Sequence, residues 1–358
     1  MTSGLQLYLD LCVFLFGAAI GSFLNVCIYR MPLGKSIVSP PSSCPSCGKT
    51  IRWFDNIPLM SYLKLRGRCR HCGAQFTARY FLVELLTALM FLTIWVMFNG
   101  WLAPIYWLFV AGLIVSTFID FEHFIIPNEI TYGGVVLGFV LSLAYPPLMG
   151  AQSIGTAALR SALGIVVGGL TLFLVVEIGK LFLGKRKVPL PAGTAVVIAD
   201  QTITFGDEQI AWLDMFYRES DRIEFQAATL TWDDQSFENA AVVVSETQLV
   251  VNGQAHELTG LGKIEATTDL VIIPREAMGL GDVKLLAAIG AFLGWKATLF
   301  TVFLSSLVGG AVGLLLIVTG KTDWQSRIPY GPYIVAGALA WLFFGQSILH
   351  WYMSFIQG

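Results

Sequence analysis

The sequence predicts an all-α bundle that crosses a membrane about eight times. It also predicts a cytoplasmic four-cysteine zinc domain and a small, mainly β soluble domain inserted between the helices. Composition is the first observation behind this fold class: of 358 residues, 55% are hydrophobic and 13% are charged, whereas soluble domains carry about 25% charged residues. The second observation is two cysteine pairs at the spacing of a zinc site, and the third is an acidic stretch that interrupts the apolar segments.

The apolar segments supply the predicted spans. They lie near residues 5–28, 80–98, 101–119, 130–146, 156–183, 282–294, 297–319 and 331–354. Most have the length of about 20 residues that a bilayer core requires. The stretch at 282–294 is short, so we expect it to be broken, tilted or shielded, and seven spans remain an alternative. The first stretch is too long for a removable signal peptide and predicts a retained anchor.

The positive charges orient the predicted bundle. Nine of the 22 Lys and Arg residues lie between residues 30 and 79, against the single acid Asp55. Because short loops rich in Lys and Arg stay in the cytoplasm, this segment is predicted to be cytoplasmic. Counting alternate crossings places Asp120 and Asp282 on the same side, while Arg160 and Lys296 are exceptions on the outer side.

The four cysteines between the first two spans predict a metal site. They are Cys44, Cys47, Cys69 and Cys72, two Cys-x2-Cys pairs separated by 21 residues. Four thiolates in two close pairs match a structural zinc site, and a reducing cytoplasm argues against disulfides. The alternatives are reduced or redox-active dithiols, or a site in which His71 replaces one thiolate. Cys12 and Cys27 lie in the first apolar stretch and are expected to be packing residues.

A strongly acidic segment predicts an inserted domain. Residues 188–276 contain 15 acidic residues against four basic ones, although the whole chain has a net charge of only −2. Short β-branched runs at 195–198, 223–231 and 241–244 predict strands, and Asn252-Gly253 predicts a hairpin turn. One helical turn is expected near Ala211 to Arg218. The segment shows no catalytic pattern, and a partner-binding or spacer role and a neutral insertion both remain open.

Two aspartates carry the functional prediction. Asp120 ends one apolar run and Asp282 opens another, where a charge is costly unless it has a partner or lines a wet cavity. If folding brings the carboxyls together, one shared proton provides a base and an acid around one water, as in aspartic proteases. Alternatively, each aspartate only caps a helix. Gly279 and Gly281 favour the catalytic interpretation, because they let a helix or an extended substrate approach closely.

Several further motifs complete a family resemblance. They are Gly21-Ser-Phe-Leu-Asn-Val-Cys-Ile-Tyr-Arg-Met-Pro32, Asp55-Asn-Ile-Pro58, Arg79-Tyr80 with Glu84, Asp120 followed by Ile126-Pro127, and Ala277-Met-Gly-Leu-Gly-Asp-Val-Lys-Leu-Leu-Ala-Ala288. In this order they resemble the type IV prepilin peptidases, which are leader peptidases and N-methyltransferases of the bacterial inner membrane. The resemblance implies a multi-pass protein whose catalytic face is cytoplasmic.

The resemblance also implies residue roles. The catalytic aspartates of the family fall on Asp120 and Asp282, and its zinc ligands fall on the four cysteines. Such enzymes cut after the glycine of a basic leader on prepilins and on pseudopilins of type II secretion. They then methylate the new N-terminal residue, usually phenylalanine, with S-adenosylmethionine. The implied partners are these substrates and the lipid bilayer; nucleic acid is not expected, and the partner of the acidic insertion is not identified.

A methyltransferase site is implied only by this resemblance. The chain lacks a glycine-rich nucleotide loop on a strand-helix unit, so the cofactor pocket is not of the Rossmann type. Polar residues near the cytoplasmic boundary could hold the cofactor or the new amine, or could be ordinary anchors and helix caps. These residues are Asn25, Arg30, Asp55, Asn56, Arg79 and Glu84. Asn128 and Phe81 depart from the family pattern, in which Asp and Pro are common, and the acidic insertion is foreign to the compact members.

The predicted domains and the rival functions follow. The domains are a first span (1–29), a zinc-binding and methyltransferase-associated segment (30–79), spans with the first aspartate (80–187), the acidic insertion (188–276) and the remaining spans (277–358). One rival is a proton-coupled transporter in which the same aspartates relay protons. The other is a zinc-organised assembly scaffold without catalytic activity.

Overall fold

In a computed structural model, the chain forms two compact units. The first consists of Met1–Phe173 together with Gly279–Gly358, and the second is Leu174–Met278. The structure describes residues 3–98, 100–183, 185–199, 202–205, 208–211, 221–232, 235–257, 262–274, 279–320 and 328–357. The domain boundaries given above stay predictions.

Long apolar helices build the first unit. The α-helices are α1 (Ser3–Arg30), α2 (Met60–Leu65), α3 (Arg79–Met97), α4 (Leu102–His123), α5 (Asn128–Ala144), α6 (Ile154–Leu183), α7 (Leu280–Leu293), α8 (Trp295–Val318) and α9 (Gly331–Gln357). Short 3-10 helices lie at Met31–Leu33, Trp53–Asp55 and Pro146–Met149.

Six helices in the described part of the chain are long and apolar enough to cross a membrane, namely α1, α3, α4, α6, α8 and α9. The protein is therefore a multi-pass membrane protein. The two remaining apolar stretches form α5 and α7, which have only 17 and 14 residues. Because a full crossing takes about 20 residues, the count of eight crossings stays a prediction.

Helix α7 is enclosed by its neighbours. Leu285, Ile289 and Phe292 are buried, and α7 packs against α5, α8 and α9. Helix α6 crosses it so closely that a Cβ added at Gly164 would lie 2.1 Å from the carbonyl oxygen of Gly290. The expectation that this short stretch is shielded is confirmed, and the shielding explains how a helix with an aspartate in its first turn sits inside an apolar bundle.

Glycines also bring α1 and α3 together. A Cβ added at Gly17 would lie 2.9 Å from the Cα of Ala88, and one added at Gly21 would lie 2.7 Å from the Cα of Glu84. Small residues spaced by four on one helix face allow such close backbone approach in membranes. This contact places the polar end of α1 against the start of α3.

The second unit contains one antiparallel sheet of eight strands in the order β3-β2-β1-β8-β4-β5-β6-β7. The strands are β1 (Lys185–Ala199), β2 (Thr202–Phe205), β3 (Glu208–Ala211), β4 (Ile223–Trp232), β5 (Gln235–Val244), β6 (Gln248–Val251), β7 (Gln254–Glu257) and β8 (Ile264–Pro274). Alternate residues of these strands form a hydrophobic core that includes Phe225, Leu230 and Trp232, as expected for a sheet with one buried face.

The β prediction is confirmed at the level of strands. The three β-branched runs lie in β1, β4 and β5. Asn252 and Gly253 have φ angles of 50° and 86° and connect β6 to β7, as a two-residue hairpin turn requires. Ala211 ends β3 instead of starting a helix. The rest of the predicted helical turn, residues 212–218, lies outside the described residues.

Candidate functional site

The two aspartates are both buried in the helical unit. Asp120 lies near the end of α4 and Asp282 in the first turn of α7, and they are 5% and 7% exposed. Both aspartates border the same residue, Ile126. A Cβ added at Gly281, next to Asp282, would lie 3.2 Å from the Cβ of Ile126, and one added at Gly331, which contacts Asp120, would lie 3.3 Å from its Cδ1. The structure therefore brings the two carboxyl groups that the sequence singled out to the same place in the bundle.

The Asp120 carboxylate is held by the beginning of α9. The backbone N–H of Gly331 donates a hydrogen bond of 2.9 Å to its Oδ2. The first N–H groups of a helix lack intrahelical partners and carry partial positive charge, so they stabilise a carboxylate. Sequence reasoning missed Gly331. The available signal was a glycine between Tyr330 and Pro332 at the start of the last apolar stretch.

Asp282 has a different environment. Its backbone N–H donates to the carbonyl oxygen of Gly279 at 3.2 Å, which fixes the first turn of α7. Its Oδ1 is buried and has no hydrogen-bond partner among the described residues. A buried carboxyl oxygen without a partner is costly unless it carries a proton or binds water, so this atom is free to meet a water or a substrate group.

Ile126 explains why Gly281 is a glycine. A Cβ added at Gly281 would lie 3.2 Å from the Cβ of Ile126, and one added at Gly331 would lie 3.3 Å from its Cδ1. Ile126 thus packs between the segments that carry Asp282 and hold Asp120. By contrast, a Cβ added at Gly279 would meet no atom closer than 3.9 Å. Gly281 permits close packing, whereas Gly279 leaves open space beside Asp282.

Lys284 is directed away from the carboxyl pair. Its Nζ donates a hydrogen bond of 2.9 Å to Oδ1 of Asn128 and lies 5.0 Å from the centre of the Tyr132 ring. The lysine therefore ties α7 to α5. Asn128, which departs from the family pattern, accepts this bond.

The four cysteines form one compact cluster. All four Sγ atoms lie within 4.8 Å of one another, and Sγ of Cys44 lies 3.8 Å from Sγ of Cys72. Tetrahedral Zn²⁺ with bonds of about 2.3 Å separates its sulfur ligands by about 3.8 Å, so the donor set fits zinc. His71 is not part of the cluster. Of the other two cysteines, Cys27 is buried and Cys12 is exposed.

Two similar turns present these thiolates. In each, a glycine follows the second cysteine and has a left-handed backbone, with φ of 69° at Gly48 and 72° at Gly73. The N–H groups of Gly48 and Gly73 donate to the carbonyl oxygens of Cys44 and Cys69 at 2.8 and 2.9 Å. Because left-handed backbone favours glycine, the sequence Cys-x2-Cys-Gly encodes each turn.

A cavity of about 150 Å³ lies between α1, α3 and the cysteine-bearing segment. We call it the first cavity. Five of the six polar residues predicted at the boundary line it, together with aromatic residues; Arg79 does not. The five are Asn25, Arg30, Asp55, Asn56 and Glu84.

Hydrogen bonds define the polar wall of the first cavity. Asn25 Nδ2 donates to the Tyr80 carbonyl oxygen at 3.0 Å, whereas Asn25 Oδ1 is buried and has no partner in the part of the chain that the structure describes. Glu84 Oε2 accepts a bond of 2.7 Å from the N–H of Leu59. The cavity therefore contains one unsatisfied acceptor and one buried carboxylate.

Two ion pairs fix the surroundings. Arg70 donates to Asp55 at 2.7 Å through Nε, and these hydrogen bonds hold the pKa of Asp55 below its ordinary value. Arg79 pairs with Glu122, two residues beyond Asp120 on α4. Arg79 thus connects α3 to the helix of the first aspartate, and Glu122 is a residue that sequence reasoning missed.

Two family models of known proteins match parts of the chain. Residues 15–98 match the Bacterial Peptidase A24 N-terminal domain, and residues 107–209 and 259–314 match the Type IV leader peptidase family. The unmatched interval 210–258 lies within the strand-rich unit. No solved structure matches the chain.

Three similar proteins are named prepilin leader peptidase/N-methyltransferase. The protein of Aeromonas hydrophila is 30% identical over 97% of this chain and 94% of its own length. That of Myxococcus xanthus is 32% identical over 86% of this chain, and the match covers 64% of its length. That of Pseudomonas aeruginosa is 28% identical over 96% of this chain and 93% of its length.

Proposed function

The chain belongs to the type IV leader peptidase family, and from this premise we propose that it is an aspartic endopeptidase that removes the leader peptides of type IV prepilins and pseudopilins. Cleavage is followed by S-adenosylmethionine-dependent N-methylation of the new N-terminal residue. We assign both activities to the cytoplasmic face of the bacterial inner membrane, because the cations of residues 30–79 favour that orientation.

The single observation that carries the peptidase proposal is that two buried carboxyls, Asp120 and Asp282, border the same residue, Ile126. In the proposed reaction, the ionised carboxylate takes a proton from water, which attacks the scissile carbonyl carbon. The protonated carboxyl donates to the carbonyl oxygen and, after the tetrahedral intermediate forms, a proton reaches the leaving amine. No covalent acyl-enzyme is required.

The two environments assign the starting roles. Asp120 accepts the Gly331 N–H at the N-terminus of α9, which favours its ionised form. Asp282 Oδ1 has no donor, which favours the protonated form in a buried setting. We therefore assign Asp120 as the base and Asp282 as the acid, although the shared proton titrates as a property of the pair.

The cysteine cluster is proposed to hold structural Zn²⁺. The fit of the four thiolates to a tetrahedral ion supports this assignment. When bound, zinc would neutralise thiolate charge and cross-link the two glycine turns. Four protein ligands leave no open coordination position for catalysis, so the metal shapes the wall of the first cavity.

The first cavity is proposed to bind S-adenosylmethionine. Its polar lining includes Asn25, Asp55 and Glu84, and the unpartnered Asn25 Oδ1 can accept a hydrogen bond from a donor such as an amino group. Tyr62, Phe76 and Tyr80 also line it, and aromatic faces attract a cationic ligand. When bound, the cofactor supplies an electrophilic methyl group on a sulfonium centre.

Mass spectrometry of a prepilin incubated with the purified full-length protein tests both activities together. Wild type should remove the leader and add one methyl group to the product. Asp120→Asn and Asp282→Asn should each slow cleavage at least about 100-fold, the scale of general acid–base catalysis. The matched control is Glu129→Gln, since Glu129 is an exposed carboxylate in the first turn of α5.

The same variants separate the rival functions. A transporter predicts intact prepilin and proton flux into liposomes that depends on both aspartates. A scaffold predicts that both Asp→Asn variants keep their function while Cys→Ser variants lose it. Either result would overturn the peptidase assignment.

A further inference from the structure

A second concave surface adjoins the first cavity. We call it the acceptor groove; its volume is about 570 Å³. Its lining shares Ser22, Val26, Arg30, Ser42 and Asn56 with the first cavity. A ligand in one therefore contacts the same residues as a ligand in the other, and group transfer between two bound molecules requires such contact.

The part of the groove that is not shared is apolar. It is lined by Ala19, Phe23, Ile37, Val38, Pro40, Pro41 and Pro58. Phe23 is 47% exposed and Val38 is 86% exposed. The first cavity instead contributes carboxylates, an amide and aromatic rings. The two surfaces are therefore suited to different ligands, one polar and cationic and the other apolar.

The groove follows one face of α1. Residues 19, 23, 26 and 30 follow one another at intervals of three or four, and residue 22 lies three after 19 and four before 26, so they share a helix face. Between Ala19 and Arg30 this face is about 16 Å long, and it lies within the candidate membrane span Gly4–Leu33. A surface of this shape accepts an apolar helix of about three turns in the helix-in-groove mode.

Arg30 fixes the segment on the far side of the groove. Its guanidinium donates to the carbonyl oxygens of Ser36 and Pro40 at 2.9 and 2.7 Å. These bonds tie the segment that carries Ile37 and Val38 to the end of α1. The groove is thus held open at the polar end of the helix, where it meets the first cavity.

From these observations, we infer that the acceptor groove binds the apolar N-terminal segment of the cleaved substrate and directs its new α-amine into the first cavity. The inference rests on the proposed function and specifies where the methyl acceptor sits. The neutral amine forms a bond to the methyl carbon of S-adenosylmethionine, the carbon–sulfur bond breaks with its electron pair moving to sulfur, and the methylated amine releases a proton to water.

Photo-crosslinking tests the position directly. A peptide with the N-terminal segment of a processed prepilin carries p-benzoylphenylalanine as its first residue and is irradiated with the full-length protein in detergent. Crosslinks should map to Phe23, Val38 or their neighbours in the groove. Crosslinks confined to other helices would overturn the inference.

Variants of the groove give a second readout. Phe23→Ala and Val38→Ala should raise the KM for the processed peptide in methylation at least about tenfold, the scale of one lost apolar contact in a pocket. Leu11→Ala is the matched control, because Leu11 is an exposed apolar residue of α1 outside both linings. An unchanged KM in both groove variants would overturn the inference.

Direct measurement of cofactor binding separates a failure of the methyltransferase proposal from a failure of the groove assignment. Calorimetry with S-adenosylmethionine should give the same Kd for wild type and the groove variants. If S-adenosylmethionine binds and the peptide is methylated but crosslinks fall elsewhere, only the groove assignment fails. If wild type binds no S-adenosylmethionine, the methyltransferase proposal and the groove assignment fail together.

Discussion

Replacing Gly331 by alanine should displace the Asp120 carboxylate without removing its hydrogen-bond donor. The added Cβ would lie 2.7 Å from Asp120 Oδ2, while ordinary contacts begin at 3.4 Å. The carboxylate must therefore move by about 0.7 Å. Since a misplacement of about 1 Å costs roughly 100-fold in rate, we expect kcat for leader cleavage to fall roughly 10- to 100-fold, or about 1.4 to 2.7 kcal/mol.

The assay compares cleavage, methylation and thermal unfolding in one preparation. Gly310→Ala is the matched control, because no atom lies within 4 Å of a Cβ added to this glycine of α8. The Gly331→Ala variant should still methylate a processed peptide, since the first cavity lies between other elements. Wild-type cleavage by a folded Gly331→Ala protein would refute the idea that α9 positions Asp120.

Three further outcomes are expected. Chelation of the metal should lower the melting temperature. As the metal is removed, the methylation activity should be lost earlier than the cleavage activity, as followed by measuring metal release and product masses together. Gly21→Ala should destabilise the protein by about 1–3 kcal/mol through overpacking, because the added Cβ would lie 2.7 Å from the Cα of Glu84. Gly4→Ala is the control, since a Cβ added there meets no described atom within 4 Å. Because Arg70 lowers the pKa of Asp55, this ion pair stabilises the folded protein fully above about pH 3.9. Arg70→Gln should therefore lower the free energy of unfolding above that pH. The difference from wild type should disappear as the pH falls further, as measured by unfolding across that range.

The features that sequence alone predicted are those with a local physical cause. Cysteine spacing predicts a metal-binding cluster because thiolates on tight turns must converge on one ion. Asp120 and Asp282 stand out because a charge in an apolar stretch is expensive. Asn252-Gly253 predicts a hairpin because both residues tolerate a left-handed backbone. In each case the signal lies within a few residues of the feature.

The features that sequence missed depend on distant contacts. Gly331 meets Asp120 across 211 positions, and nothing near Asp120 indicates that partner. Arg79 resembles its polar neighbours in sequence, but the ion pair with Glu122 draws it towards α4. The span count was uncertain for another reason, because hydropathy does not distinguish a lipid-exposed helix from one that protein encloses, such as α7.

The charge balance around the aspartates explains how one site can exchange a single proton inside a membrane. In the part of the chain that the structure describes, neither aspartate forms a salt bridge with a lysine or arginine. A cationic partner would hold a buried carboxylate permanently ionised and make breaking the pair costly. Backbone groups act differently: Asp120 faces the N-terminus of α9, and Asp282 lies in the first turn of α7. Helix N-termini stabilise a carboxylate by only about 0.3 to 2 kcal/mol, so the proposed mechanism, in which one proton moves between the two carboxyls, needs no strong ion pair to be broken.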